Sequence, residues 1–249
     1  MPRFRLEVEF DGTGFVGWQR QAAGRSVQGA LEEAFESLVG VAVAVHGAGR
    51  TDAGVHALSM TAHADLPPGA RILPPDRLQS GLNHFLRPEP IAVLAVARAA
   101  DDFHARFSAT ARHYRYVVLN RRAPPVLDAG RVWHVSRAID AGVMADEARA
   151  LLGRHDFTSF RSTECQAASA IKTLDRLTVR REGATIVVEA SARSFLHHQV
   201  RNMVGTLVLV GEGRRPRGFA AEALAARDRV AAGPTAPARG LYFVRAIYA

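Results

Sequence analysis

The stretch Gly47-Ala48-Gly49-Arg50-Thr51-Asp52-Ala53-Gly54-Val55-His56-Ala57 holds the densest chemistry in this sequence. A guanidinium, a hydroxyl and a carboxylate occupy three consecutive positions, and three glycines force a tight, backbone-exposed connection. Spacing alone favours a structural turn in which Asp52 bonds its own backbone while Arg50 is solvated. Other chemistry is sparse. Cys165 is the single cysteine, so an intrachain disulfide or a cysteine-rich zinc site is excluded. The ten histidines are scattered apart from His197-His198, and they form no HExxH frame. On a helix adjacent histidines diverge by about 100°, which argues against a metal held by that pair. Lys172 is the only lysine and lies in no phosphate-binding loop.

The elements that must position the loop follow from periodicity. Arg3 to Phe10 alternates strictly, with Phe4, Leu6, Val8 and Phe10 on one face, as a half-buried strand does. Ser26 caps a predicted helix whose apolar stripe is Val27, Leu31, Ala34, Phe35 and Leu38, and Gly40 stops it. Strands are expected at Val41–Val45, Leu58–Ala64 and Ile91–Ala97, with a helix from Pro74-Pro75 through Leu82 to Phe85. The first half therefore reads β-α-β-β-α-β. The second half offers a strand at Arg112–Leu119, a helix at Asp140–Leu152 and a hairpin of Ala170–Arg180 with Thr185–Ala192. Helices at Leu196–Val210 and Phe219–Ala231 and a strand at Gly240–Tyr248 complete it. This is the same order with one extra helix.

Each half is the split-βαβ, ferredoxin-like pattern. The expected fold is an α+β protein of two pseudo-duplicated ferredoxin-like units, 1–105 and 106–249. Their antiparallel sheets join edge to edge around a central cleft, which also protects the edges. Of 249 residues, 48% are apolar and 22% charged, an ordinary globular composition with no membrane-length apolar run. Met1-Pro2-Arg3-Phe4-Arg5 is followed by no apolar signal region, so a cytoplasmic location is expected. Lys and Arg total 32 against 24 acidic residues, a net charge of +8, and all but one of the 32 are arginine. A pI near 10.8 makes a polyanion the first partner to consider, since arginine forks suit phosphates and stack on bases.

Gly49-Arg50-Thr51-Asp52-Ala53-Gly54-Val55-His56 resembles the signature of the tRNA pseudouridine synthase A family, which acts on the anticodon stem-loop. Further blocks resemble the family in its own order. They are Phe10-Asp11-Gly12, Gly17-Trp18-Gln19-Arg20-Gln21, Ser26-Val27-Gln28, the run Asp102 to Ala109 leading into Arg112-His113-Tyr114-Arg115-Tyr116, Asp156 to Arg161, Phe195 to Gly205 and Gly240-Leu241-Tyr242. Residues 120–155 and 210–235 carry no such block. The resemblance implies two ferredoxin-like units around a cleft and isomerisation of uridines 38, 39 and 40 of tRNA to pseudouridine. The C1′–N1 bond breaks, the uracil turns and C5 bonds to C1′. Nothing is added or lost, so the reaction calls for no metal, redox or nucleotide cofactor.

By that resemblance Asp52 is the essential carboxylate. Three roles stay open to it: attack at C1′, addition to the uracil ring, or removal of a sugar proton. Tyr114 matches the family's tyrosine that packs on the target base, and Tyr116, on the same face of its strand, is read as core. Arg201 matches the arginine paired with the carboxylate, and Arg50 the motif arginine that contacts RNA around the flipped nucleotide. Arg20, Arg25, Arg106, Arg112 and Arg115 are further RNA-contact candidates. A homodimer bridged by tRNA is implied as well. Two alternatives share the topology: a pseudouridine synthase on another structured RNA, and a non-catalytic RNA-binding protein.

Overall fold

The computed structural model describes Met1–Ala249. In chain order its elements are β1 (Arg3–Phe10), α1 (Val27–Val39), β2 (Val45–Gly47), β3 (His56–Asp65), α2 (Pro75–Phe85) and β4 (Ile91–Arg98). Then come β5 (Ala109–Leu119), β6 (Trp133–His134), α3 (Ala141–Arg149), β7 (Gly153–Asp156), β8 (Ile171–Glu182) and β9 (Thr185–Ala192). The chain closes with α4 (Gln199–Gly211), α5 (Phe219–Ala226) and β10 (Leu241–Tyr248). The fold is mixed α+β. It divides into two compact units, Met1–Thr110 with Tyr242–Ala249, and Ala111–Leu241.

In the first unit β1 lies between β4 and β3, antiparallel to both. β2 pairs antiparallel with the far part of β3, and β10 pairs parallel with its start. The order is β4-β1-β3-β2, and the alternation of β1 leaves Phe4, Leu6 and Val8 fully buried on one face. Burying three such side chains contributes about 1.5–3 kcal/mol each. α1 starts where the Ser26 hydroxyl accepts the Gly29 N–H (3.1 Å) and ends at Gly40, whose φ of 84° is left-handed. Its buried face carries Val27, Leu31 and Phe35.

The strand expected at Val41–Val45 is displaced to Val45–Gly47. Side chains from α1 explain the shift. Glu32 Oε1 accepts the Val45 N–H (3.1 Å) and the Gln28 amide donates to Val45 O (3.1 Å), so strand pairing begins only there.

In the second unit the order is β5-β9-β8-β7, with β6 beside β5. Val118, Ile186, Val188, Met203, Val204 and Leu207 are core. Two short strands, β6 and β7, have no counterpart in the periodicity; β7 reads Gly-Arg-His-Asp and is defined by pairing with β8 alone. α3 ends at Arg149, before Leu152. α5 stops at Ala226 instead of Ala231. Arg227 turns left-handed there (φ 50°), and Asp228 caps a separate 3₁₀ turn by accepting the Val230 N–H (3.0 Å).

Three imidazoles meet in the first unit. His63, 2% exposed, stacks on His46 (5.0 Å) and meets His104 edge-on (4.5 Å), while its Nδ1 accepts the Ala105 N–H (3.2 Å). Burial, and then the neighbouring His104 and His46, push the His63 imidazole down to about 4. A histidine in the unfolded chain titrates near 6.5. Between those values the unfolded state binds the extra proton, so stability falls as pH drops through that window. The loss from His63 is at most about 1.4 kcal/mol per pH unit. Thermal melts between pH 7 and 4.5 should show a steeper loss for the wild type than for His63→Asn, whose side-chain oxygen can still accept the Ala105 N–H. Parallel curves would contradict this.

Candidate functional site

The Asp52 loop joins β2 to β3 and is clamped from outside by the residues after β1. Trp18 N–H donates to Thr51 O (3.1 Å), and Gly17 forms an isolated antiparallel bridge with Asp52. Within the loop Val55 N–H donates to Asp52 O (3.1 Å). The approach is so close that side chains are excluded. A Cβ on Gly12 would lie 2.0 Å from Val55 O, and one on Gly17, at φ +113°, 2.5 Å from Thr51 O. The Trp18 ring, 3% exposed, lies against Gly47 at the other end of the loop. The sequence blocks around Gly12, Gly17-Trp18 and Asp52, forty residues apart, thus form one object.

His56 completes the clamp from below. It is 2% exposed, stacks on Tyr242 (4.8 Å) and approaches two partners through one nitrogen. Gly12 N lies 3.0 Å from Nδ1 and Asp11 Oδ1 lies 3.1 Å from it. A ring nitrogen cannot accept and donate at once. The Gly12 N–H is a fixed donor, so we assign Nδ1 as the acceptor and the ring proton to Nε2. Asp11 Oδ1 is satisfied elsewhere, by the Thr13 N–H (3.0 Å) and hydroxyl (2.6 Å).

On this clamped loop Arg50 is exposed, Asp52 is half-buried and Thr51 is buried. The Thr51 hydroxyl has no hydrogen-bond partner, which costs about 1–3 kcal/mol. A rigid, partly sheltered carboxylate on a clamped loop is suited to nucleophilic or general-base chemistry on a ligand that binds over the loop.

In the second unit Tyr114 sits in β5 opposite Ala190 of β9, half-buried, with its ring edge-on to Phe195 at 5.1 Å. Tyr116 is fully buried and its hydroxyl donates to Pro237 O (2.7 Å). Burial pushes that phenol up, well out of the physiological range, so Tyr116 is a neutral core residue. Arg201 is on the first turn of α4. Its Nε donates to Ala236 O (2.8 Å) and its own carbonyl accepts the Ala236 N–H (3.1 Å).

That pairing belongs to a strap, Gly233–Ala236, laid across α4. Gly233 N–H donates to the Thr206 hydroxyl (2.9 Å) and the Thr235 hydroxyl to Asn202 Oδ1 (2.7 Å). The strap lies in a stretch that carries no family-like block. Its one sequence signal is the pair Pro234 and Pro237, which marks an extended, non-helical run.

α4 begins at Gln199, not at Leu196. Gln199 Oε1 accepts the Leu196 N–H (2.9 Å), and His198 takes a left-handed φ of 64°. His197 and His198 therefore precede the helix, and their rings approach to 3.9 Å instead of diverging. The helical argument against a metal at that pair falls away. Most of the other arginine candidates are ion-paired with carboxylates of this chain, at or near its surface. Arg20 pairs with Glu32 (2.5 Å), Arg25 with Glu33 (2.6 Å) and Glu89 (2.7 Å), and Arg115 with Glu189 (3.6 Å). Arg112 is buried and donates to Arg193 O.

Residues 7–108 and 148–249 match a family described as tRNA pseudouridine synthase. The chain belongs to that family, and it is an isomerase of the pseudouridine synthase class. Among its relatives is a tRNA pseudouridine synthase A of Rhodospirillum rubrum, 59% identical over 245 residues, which span 98% of this chain and 87% of the relative. The proteins of the same name from Paramagnetospirillum magneticum and Rhodospirillum centenum are 57% and 58% identical over 248 residues. Those alignments span 100% of this chain and 96% and 100% of the relatives.

Proposed function

We propose that the chain converts uridines 38, 39 and 40 of the tRNA anticodon stem-loop to pseudouridine, with Asp52 as the essential carboxylate. The observation that carries this reading is the clamp. Backbone contacts from Gly12, Gly17 and Trp18 hold Asp52 in place before any substrate arrives, as a preorganised catalytic group requires. Asp52 attacks C1′, adds to the uracil ring or takes a sugar proton; each route breaks C1′–N1 and ends with the C5–C1′ bond. Tyr114 packs on the base, a stack of about 1–3 kcal/mol that retains the severed uracil while it turns. Arg50 binds RNA around the flipped nucleotide, whose extrusion costs a few kcal/mol, and Arg201 belongs to the substrate-binding set.

The fold belongs to the same proposal. We take it as two ferredoxin-like units, the Asp52 loop on residues 1–105 and the Tyr114 and Arg201 positions on 106–249. Supporting this, the order β4-β1-β3-β2 has α1 and α2 as its connections, and β5-β9-β8 repeats β1-β3-β2. The protein acts as a homodimer in the cytoplasm; no helix is long and apolar enough to cross a membrane.

The test uses the purified chain and an unmodified tRNA transcript, with EDTA and no added cofactor. Total pseudouridine is measured by mass spectrometry and tRNA affinity at several salt concentrations. Product in EDTA, with affinity falling steeply as salt rises, is expected. Tight binding without product would replace the enzyme reading with the RNA-binding one, and dependence on metal would contradict the cofactor-free chemistry.

A further inference from the structure

The turn His104–Ser108, outside the Asp52 loop, is fastened at every backbone N–H. His104 N–H donates to the Ser108 hydroxyl (2.9 Å) and Ser108 N–H to His104 O (2.9 Å). Ala105 N–H donates to His63 Nδ1 (3.2 Å), and the N–H groups of Arg106 and Phe107 share His104 Nδ1 (3.1 and 3.3 Å). The Tyr248 hydroxyl donates to Ala105 O (2.7 Å). Five consecutive donors are thus satisfied by the turn itself and by the histidines beneath it.

This rigid turn presents an aromatic ring to solvent. Phe107 is 72% exposed, although a phenylalanine gains most from burial. Its ring meets the His104 imidazole at 4.3 Å, and the Arg106 guanidinium lies over it at 5.7 Å. His46, exposed, lies 6.0 Å from His104. The surroundings are therefore polar and basic, not an apolar patch. A stable protein partner needs about 800 Å² of contact on each side, far more than one ring supplies. An unpaired nucleobase has the size of one ring, and its phosphate is complementary to an adjacent guanidinium in a protein of net charge +8.

We propose that Phe107 is a stacking platform for an unpaired base of the tRNA substrate, with Arg106 beside it for the attached phosphate. The platform fixes how the RNA is seated and takes no part in the chemistry. It rests on the tRNA-substrate reading above. The ordering of the turn in advance removes an entropic cost that a mobile aromatic would bear on binding.

The test compares wild type with Phe107→Ala, Phe107→Leu and Phe107→Trp, using an unmodified tRNA transcript. Kd, KM and kcat are measured, together with Tm and solution mass. The alanine and leucine variants should weaken binding on the order of tenfold, as expected for loss of one base stack. The loss should fall on KM and not kcat, tryptophan should restore affinity, and Tm should hold because the ring is exposed. Wild-type affinity in Phe107→Ala would overturn the proposal. So would full affinity in Phe107→Leu, which would mark a merely apolar contact, or a change of oligomeric mass in Phe107→Ala, which would assign the ring to a second copy of the chain. A wild type that neither binds nor modifies the transcript would instead overturn the tRNA-substrate reading.

Discussion

Asp52→Asn should lower the single-turnover rate of pseudouridine formation by at least about 10³-fold, because an amide is neither nucleophile nor base. The loop should survive the change. The hydrogen bond from Val55 N–H and the bridge to Gly17 both use the Asp52 backbone, which asparagine keeps. Affinity for tRNA should hold or rise, since removing an anion near a polyanion relieves repulsion and leaves the arginines in place. A drop of only a few fold would return Asp52 to the role of turn residue. A parallel loss of binding and rate would mean that the loop had come apart.

Gly12→Ala tests the clamp itself. The added methyl would sit 2.0 Å from a backbone carbonyl oxygen, Val55 O, which cannot swing away as a side-chain tip can. Either β1 separates from the loop or the loop moves and carries Asp52 with it. Overpacking in well-filled sites costs 1–3 kcal/mol and sometimes more. With main chain on both sides, about 3 kcal/mol or more is expected, along with a large loss of rate. Gly14→Ala is the control two residues on. A Cβ there meets nothing within 4 Å, so a change within about 0.5 kcal/mol is expected. Chemical denaturation of both variants decides the point: equal stabilities would mean that the close approach at Gly12 is not a constraint.

The sequence carried much of the scaffold. Strict alternation marks β1, and Ser26 and Gly40 bracket α1 because capping chemistry is local. Features made by tertiary pairing were not legible. β7 has no apolar alternation and exists only against β8. The apolar stripe of α4 runs back through Leu196 and predicts a start there, whereas the Gln199 side chain and the left-handed His198 set the boundary at Gln199. The site divides in the same way. The Arg50-Thr51-Asp52 loop could be picked out by residue type and by resemblance. Its clamp could not, because contacts from the backbone of Gly12 and Gly17 leave only an absent side chain as their mark. The partners of Arg25, Glu33 and Glu89, are eight and sixty-four residues away, so these surface ion pairs leave no local mark in the sequence.

The central claim is the placing of this isomerase on tRNA uridines 38–40. The most direct measurement is nucleotide-resolution mapping of pseudouridine in a tRNA transcript with uridine at those three positions. A second transcript carries cytidine there. Pseudouridine at positions 38, 39 and 40 of the first transcript, and none in the second, is the expected result. Product at other uridines in both transcripts would keep the chemistry and contradict the substrate assignment.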